Sequence, residues 1–316
     1  CLVGAWGYFI NWMGTKRLKQ HWRYLIGRYA SYPVTWCVAG EANLPWYLAE
    51  GFPYDDRDQV RDWTKVAAYV KQTDPFGRLL TIHPTGLGQL TARGAIDDQS
   101  LLDLDIQQTG HDDTGILELT VDTLRGSYGA EPVMPVLNSE VNYDGISDKC
   151  NDEIQRLFFW SCVLSGACGH TYGANGLWQL NRPGRPHGNS PHGGSYGDVT
   201  WEDAMNLPGS NQLGVAKKIL KAYRWWEFAP HQEWIYKTPD DDPGTQAFAA
   251  GISGEVMFIY GREDFWSSCP SIGKLESGAN HTPIFVDPVS GKEHPAAPDS
   301  SYSPPGGGDW LLIIRS

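Results

Sequence analysis

"PVTWCVAGE" (residues 33–41) and "PVMPVLNSE" (residues 132–140) are two apolar runs that each open on proline and close on a small residue followed by glutamate. Both read as buried strands, because short β-branched and apolar stretches bounded by proline and glycine fit a sheet better than a helix. A carboxylate at the end of a buried strand has to be solvated, paired or put to use. The runs stand almost a hundred residues apart, so the question is what fold would give both endings one purpose.

Outward from these runs the chain alternates between strand and helix patterns. "CLVGAWGYF" reads as an opening strand, and "TKRLKQHWRYLIGRYASY" carries Leu18, Trp22, Leu25, Ile26 and Tyr29 at helical spacing before the strand 33–39. A helix over 58–74, a strand over 78–84, a strand over 102–111, a helix over 115–129 and the strand 132–139 follow. "NDEIQRLFFWSCVLSGA" (151–167) has an Asn/Asp cap and an acidic first turn, then come "GHTYGANGLWQ" (169–179) and a last helix over 211–226. This is the βα repeat of a parallel sheet. The six strands predict an α/β (β/α)8 TIM barrel lacking its first strands, with those present being the third to the eighth. An open doubly wound sheet is the competing architecture, and no GxGxxG turn follows any strand to support its nucleotide-binding version.

Past residue 229 the helical period gives way to "QAFAAGI", "EVMFIY", "TPIFVDP" and "DWLLIIR", separated by Gly, Pro, Asp and Ser. Residues 230–316 are therefore expected to form a small all-β sandwich, with "SYSPPGGGDW" a turn feeding a last strand that pairs back into the sheet. Residues 1–229 form the barrel domain in this reading. The Gly, Pro and His-rich loop 182–197 is not a core element.

The full chain has 316 residues, a formal charge of −12, 14 tryptophans and 15 tyrosines. The acidic balance argues against nucleic acid, which needs a concentrated basic face. No apolar run reaches membrane-spanning length. The aromatic excess suits either a core or a platform for sugar rings. The six cysteines have no CxxC pair, which excludes a zinc ribbon, and small buried thiols are expected in preference to disulfides. A sequence that opens at Cys1 without initiator Met or signal peptide suggests that an N-terminal portion precedes it.

In a barrel the C-terminal strand ends share one mouth. That mouth then gathers Glu41, His83, Gln107, Gln108, Glu140, His170 and Tyr172. Two facing glutamates suit glycosidic cleavage, one as proton donor and one as carboxylate at the oxocarbenium-like carbon. A wall beside Gly40 would raise the pKa of Glu41, while Asn138 and Ser139 would keep Glu140 ionised. A single glutamate after a strand is more often a cap or an ion-pair partner; the repetition of the pattern favours catalysis. Trp6, Trp46, Tyr143 and Trp178 are candidate stacking rings, although core packing would also explain each of them. Asn43, His111 and Asn138 complete the candidate substrate-binding residues. His83, His111 and His170 could also be read as zinc ligands, but no HxH or HExxH occurs, and sugar hydrogen bonding explains them better. No cofactor and no metal is expected.

Taken in order, "RYASYPVTWCVAGE", "LLTIHPTG", "DIQQTGH", "PVLNSEVNYDGI" and "SGACGHTYGANGLWQ" resemble the apiosidase-like DUF4038 proteins, glycoside hydrolase family 140. "PIFVDPVSGKE" and "DWLLIIR" resemble the collagen-binding-like β-sandwich that follows that catalytic domain. The resemblance implies a retaining glycoside hydrolase acting on plant-type polysaccharide side chains, with Glu41 in the acid/base position and Glu140 in the nucleophile position. Some members carry Asp where Glu41 stands, a one-methylene difference that bears on substrate and linkage. A secreted or periplasmic monomer with a polysaccharide or oligosaccharide substrate is expected. The alternative is a carbohydrate-binding protein without turnover on a barrel scaffold.

Overall fold

The structure is a computed structural model. It describes residues 1–44, 56–86, 89–147, 149–188, 196–235, 246–268, 272–273, 282–296 and 302–316. Trp46, Cys269 and residues 189–195 of the Gly, Pro and His-rich loop lie outside the described residues. The described residues divide into two compact units, one within 1–110 and 126–140 and the other within 111–125, 141–188 and 196–316.

In the first unit β1 (Leu2–Val3), β2 (Trp36–Cys37) and β3 (Leu80–Thr81) form a parallel sheet, with helices α1 (Phe9–Tyr29) and α2 (Asp56–Thr73) between them in sequence. Each strand is shorter than its apolar run because the pairing goes on one bond at a time beyond it. Val38 N–H donates to the Thr81 carbonyl (2.8 Å), His83 N–H to that of Ala39 (2.9 Å) and Ala42 N–H to that of His83 (2.9 Å). The i, i+4 set Leu18, Trp22 and Ile26 of α1 and Trp63, Val66, Ala67 and Val70 of α2 cover Trp36, Val38, Leu80 and Ile82 in one core. Trp22 meets Trp36 edge to face at 5.8 Å. Helix α1 starts earlier than the periodicity suggests: in the apolar "GYF" that reads as strand, Gly7 and Tyr8 form a turn, Tyr8 is the N-cap and Phe9 the first helical residue, and Gly14 interrupts the helix at φ 65°, ψ 165°.

β4 (Asp105–Gln108) and β5 (Val136–Glu140) pair in parallel as Asp105↔Val136, Ile106↔Leu137 and Gln107↔Asn138, after which the register shifts and Gln108 faces Glu140. Ser139 is thus the extra residue of a bulge, and its hydroxyl donates to the Gln107 carbonyl at 2.7 Å. At the other end of β4, Asp105 accepts from the Arg93 guanidinium (3.0 Å), which also reaches the Pro132 carbonyl (2.8 Å).

Helix α3 (Leu117–Tyr128) lies between β4 and β5 in sequence. In the second unit, α4 (Asp152–Val163) begins as expected, with the Asn151 side chain accepting from Ile154 N–H at 3.1 Å. It is followed by β6 (Gly169–His170), the short helix α5 (Trp201–Ala204) and α6 (Pro208–Lys221). β7 (Ala229–Pro230), β8 (Phe248–Ile252), β9 (Val256–Gly261), β10 (Thr282–Val286), β11 (Glu293–Pro295) and β12 (Trp310–Arg315) make one antiparallel sheet in the order β11-β10-β12-β9-β8-β7, with helix α7 (Glu263–Ser267) after β9. The last strand does return to the sheet, and it enters at the centre, between β10 and β9. Side chains alternate between two cores. Phe248, Ala250, Phe258, Tyr260, Ile284, Leu311 and Ile313 pack with Leu157, Phe158, Leu213 and Leu220 of α4 and α6. Ala249, Met257, Ile259, Phe285, Leu312 and Ile314 pack with Phe265 and Trp266 on the opposite face.

A buried ion pair fastens sheet to helix. Arg156 of α4 grips both carboxylate oxygens of Asp309 (2.8 and 2.7 Å), and the Tyr260 hydroxyl donates to the same carboxylate at 2.9 Å. Gln232–Trp234 is a 3-10 turn, and Ile235 after it bridges to Ile272. Cys37, Cys150 and Cys162 are buried, whereas Cys1 and Cys168 are exposed.

Candidate active site

Glu41 comes just after the β2 run, where the backbone leaves the sheet, and it does so at φ 46°, in the left-handed region. A side chain there costs roughly 1 kcal/mol or more, and such strain concentrates at functional positions. Gln108, the last residue of β4, donates from Nε2 to Glu41 Oε1 at 3.4 Å. The same Gln108 is the cross-strand partner of Glu140 in the β4–β5 ladder. The two glutamates therefore finish on one rim of the first unit, joined by a residue that touches one and is paired with the other.

Glu140 has His83 for a neighbour, Nε2 lying 3.4 Å from Oε2. His83 Nδ1 is 2.9 Å from the Pro84 carbonyl, which can only accept, so Nδ1 carries a proton and Nε2 is aimed at the carboxylate. Burial holds the His83 pKa below its ordinary value; the Glu140 charge and the Pro84 carbonyl pull the other way. The neutral imidazole that burial favours therefore turns an unprotonated Nε2 towards Glu140, and charging the ring would place a hydrogen-bond donor beside the carboxylate. Ser139 does not do what its sequence position suggests, because its hydroxyl is committed to the Gln107 carbonyl rather than to Glu140.

Several buried polar groups surround this rim. Both amide atoms of Asn43 and of Gln59, the Thr85 hydroxyl and Gln108 Oε1 are buried without a hydrogen-bond partner. Each such group costs about 1–3 kcal/mol, and they lie on the segments after the strand ends and on α2, behind the surface of the site. The Trp63 indole donates to the Ala42 carbonyl at 2.9 Å and thereby sets α2, and with it Gln59 one turn earlier, against the stretch that carries Glu41 and Asn43. Gln107 and Asn138 have no exposed surface and belong to the wall of the site. Trp6 bridges to Gly40 in parallel register beside Glu41.

The second unit holds the remaining candidates. His111 packs on Tyr143 with ring centroids 4.3 Å apart. Asn142 steadies that turn by accepting from Asp112 N–H (2.8 Å) and donating to the Asp113 carbonyl (2.7 Å). Tyr172 donates to Asp144 at 3.0 Å, and Gly209 N–H donates to the same oxygen. Burial raises the pKa of Tyr172, with Asp144 adding to the effect, and burial likewise raises that of Asp144. His170 has neither ring nitrogen hydrogen-bonded, and burial lowers its pKa to about 4. Trp178 is half-exposed, with His187 and Tyr196 against its ring at 5.0 and 5.7 Å. Asp144 and Gln59 were missed in the sequence; a charged residue two places before "IS" in "NYDGIS", just after a strand-ending glutamate, is the signal that could have flagged the first. Among the described residues, no three His, Cys, Asp or Glu side chains gather to hold a metal ion.

These features define a class: carboxylates at the ends of parallel strands, in a βα fold followed by an antiparallel module. A glycoside hydrolase family 5 structure from Bacteroides vulgatus matches 99% of this chain and 69% of its own at 24% identity, with a TM-score of 0.81. A second structure, of a protein described as a glycoside hydrolase, matches 99% of this chain and 72% of its own at 23% identity, with a TM-score of 0.79. The fold is thus that of a (β/α)8 barrel followed by a small all-β sandwich. No curated protein sequence matches the chain. The family model described as "Apiosidase-like, catalytic domain" matches residues 1–227, and the chain belongs to that family. It is a glycoside hydrolase. No helix among the described residues is long and apolar enough to cross a membrane.

Proposed function

We propose that this chain hydrolyses glycosidic bonds in plant-type polysaccharide side chains with retention of configuration, Glu41 serving as acid/base and Glu140 as nucleophile. The observation that carries the reading is the double role of Gln108, which hydrogen-bonds Glu41 and is register-paired with Glu140. In the first step the Glu41 carboxyl protonates the departing oxygen while the Glu140 carboxylate attacks the anomeric carbon, giving a glycosyl ester. In the second, Glu41 takes a proton from water, which displaces Glu140 and releases the sugar. Retention calls for carboxyl groups about 5–5.5 Å apart, against about 6.5–9.5 Å for inversion. The left-handed backbone at Glu41 and the bulge before Glu140 are the devices that would aim the two groups.

Residues 1–229 serve as the catalytic domain in this proposal and residues 230–316 as the sandwich. Action outside the cytoplasm follows from a polymeric substrate. The test is the anomeric proton signal of the first product formed from pectin-derived oligosaccharides. Initial release of the substrate's own anomer supports retention, and initial release of the opposite anomer overturns it.

A further inference from the structure

The turn between β1 and the long part of α1 carries aromatic side chains that the core does not use. The buried residues of α1 are Ile10, Leu18, Trp22 and Ile26, while Trp12 is 60% exposed. Trp12 is nevertheless held in place by rings. Tyr8 meets it edge to face at 5.0 Å and Phe9 stacks on it at 5.7 Å, while Tyr8 in turn stacks on Trp6 at 6.2 Å. Gly14 breaks the helix directly after this turn, so the segment 8–13 is a ledge of its own rather than the start of a packed helix.

The ledge begins at the acid/base candidate. Gly7 N–H donates to the Gly40 carbonyl at 2.8 Å, and a Cβ added to Gly7 would stand 2.0 Å from the Glu41 carbonyl oxygen. Only glycine permits that approach. The backbone that carries the rings of Trp6, Tyr8 and Trp12 thus starts against the backbone of Gly40 and Glu41. A flat, exposed indole braced by two rings offers a sugar face a rigid apolar surface, with little ordering left to do on binding.

We propose that Tyr8, Phe9 and Trp12 form a distal glycan subsite, in which Trp12 stacks on a sugar unit of the substrate beyond the one adjoining the cleaved bond. This rests on the reading of Glu41 as acid/base, and it makes the enzyme one that holds an oligosaccharide rather than a lone glycoside.

The experiment compares the Glu140→Gln chain with Glu140→Gln/Trp12→Ala in native gels containing pectin and in titrations with pectin-derived oligosaccharides. Trp12→Ala in the otherwise unaltered chain is assayed alongside. The proposal expects pectin to retard the Glu140→Gln chain and Trp12→Ala to weaken binding about threefold to tenfold, with Trp12→Phe keeping most of it. In turnover, Trp12→Ala should raise KM by a similar factor and leave kcat unchanged. Equal affinity with and without Trp12, or no retardation of the Glu140→Gln chain, overturns the subsite. Trp12-dependent binding in a chain without turnover would instead sink the hydrolase reading and leave the subsite standing.

Discussion

The β9–β12 ladder and the β4–β5 ladder are built from the same hydrogen bonds and serve opposite ends. The first keeps its register through six pairs, from Trp310↔Gly261 to Arg315↔Val256, with apolar side chains feeding a core on each face. The second holds for three pairs, gains a residue at Ser139 and stops at Gln108 and Glu140. Where a sheet exists to pack, regular alternation meets every requirement. Where it must deliver a carboxylate, the regularity is broken and polar groups take the places of apolar ones, at a cost in stability.

Substitutions can break that contrast, and the largest effect belongs to the irregular ladder. Glu140→Gln and Glu41→Gln should each lower kcat on pectin-derived oligosaccharides by about a thousandfold or more, on the scale of losing a nucleophile or a general acid. Thermal melting should be unchanged or slightly raised. In the regular ladder the balance reverses. Phe258→Ala removes a fully buried ring and should cost about 3–5 kcal/mol in denaturant unfolding. The turnover of those molecules that remain folded should be unaffected.

His170 extends the comparison to β6, another strand end. Its pKa of about 4 lies below the ordinary 6.5, so the folded form resists a proton that the unfolded chain accepts. Stability is therefore complete above the unfolded value and falls as pH drops from about 6.5 to about 4, by about 3 kcal/mol in all. Unfolding measured across that range should show the loss, and His170→Gln should flatten it. The smallest effect concerns the backbone at Glu41. Glu41→Gly relieves the left-handed conformation and should stabilise the fold by about 1 kcal/mol while activity disappears.

The sequence made much of this legible, for definite reasons. Two-residue alternation in "EVMFIY" and "DWLLIIR" identifies strands because each face meets a core. A carboxylate closing an apolar run stands out because burial would be costly, which is why Glu41 and Glu140 were visible. The bulge at Ser139 was not, since register belongs to a pair of strands rather than to either one. The left-handed φ of Glu41 was hidden because nothing in "AGEAN" forbids an ordinary one. "GYF" read as strand because a short apolar turn leading into a helix has no periodicity to betray it. The central place of β12 escaped notice because composition carries no information on strand order.

Azide rescue tests the assignment of the two glutamates most directly. With an aryl glycoside of the cleaved sugar, whose leaving group needs no proton, Glu140→Ala and azide should yield a glycosyl azide of the configuration opposite to the substrate, while Glu41→Ala and azide should yield one of the same configuration. Absence of glycosyl azide from both variants, or residual hydrolysis in Glu140→Ala near that of the unaltered chain, would contradict it.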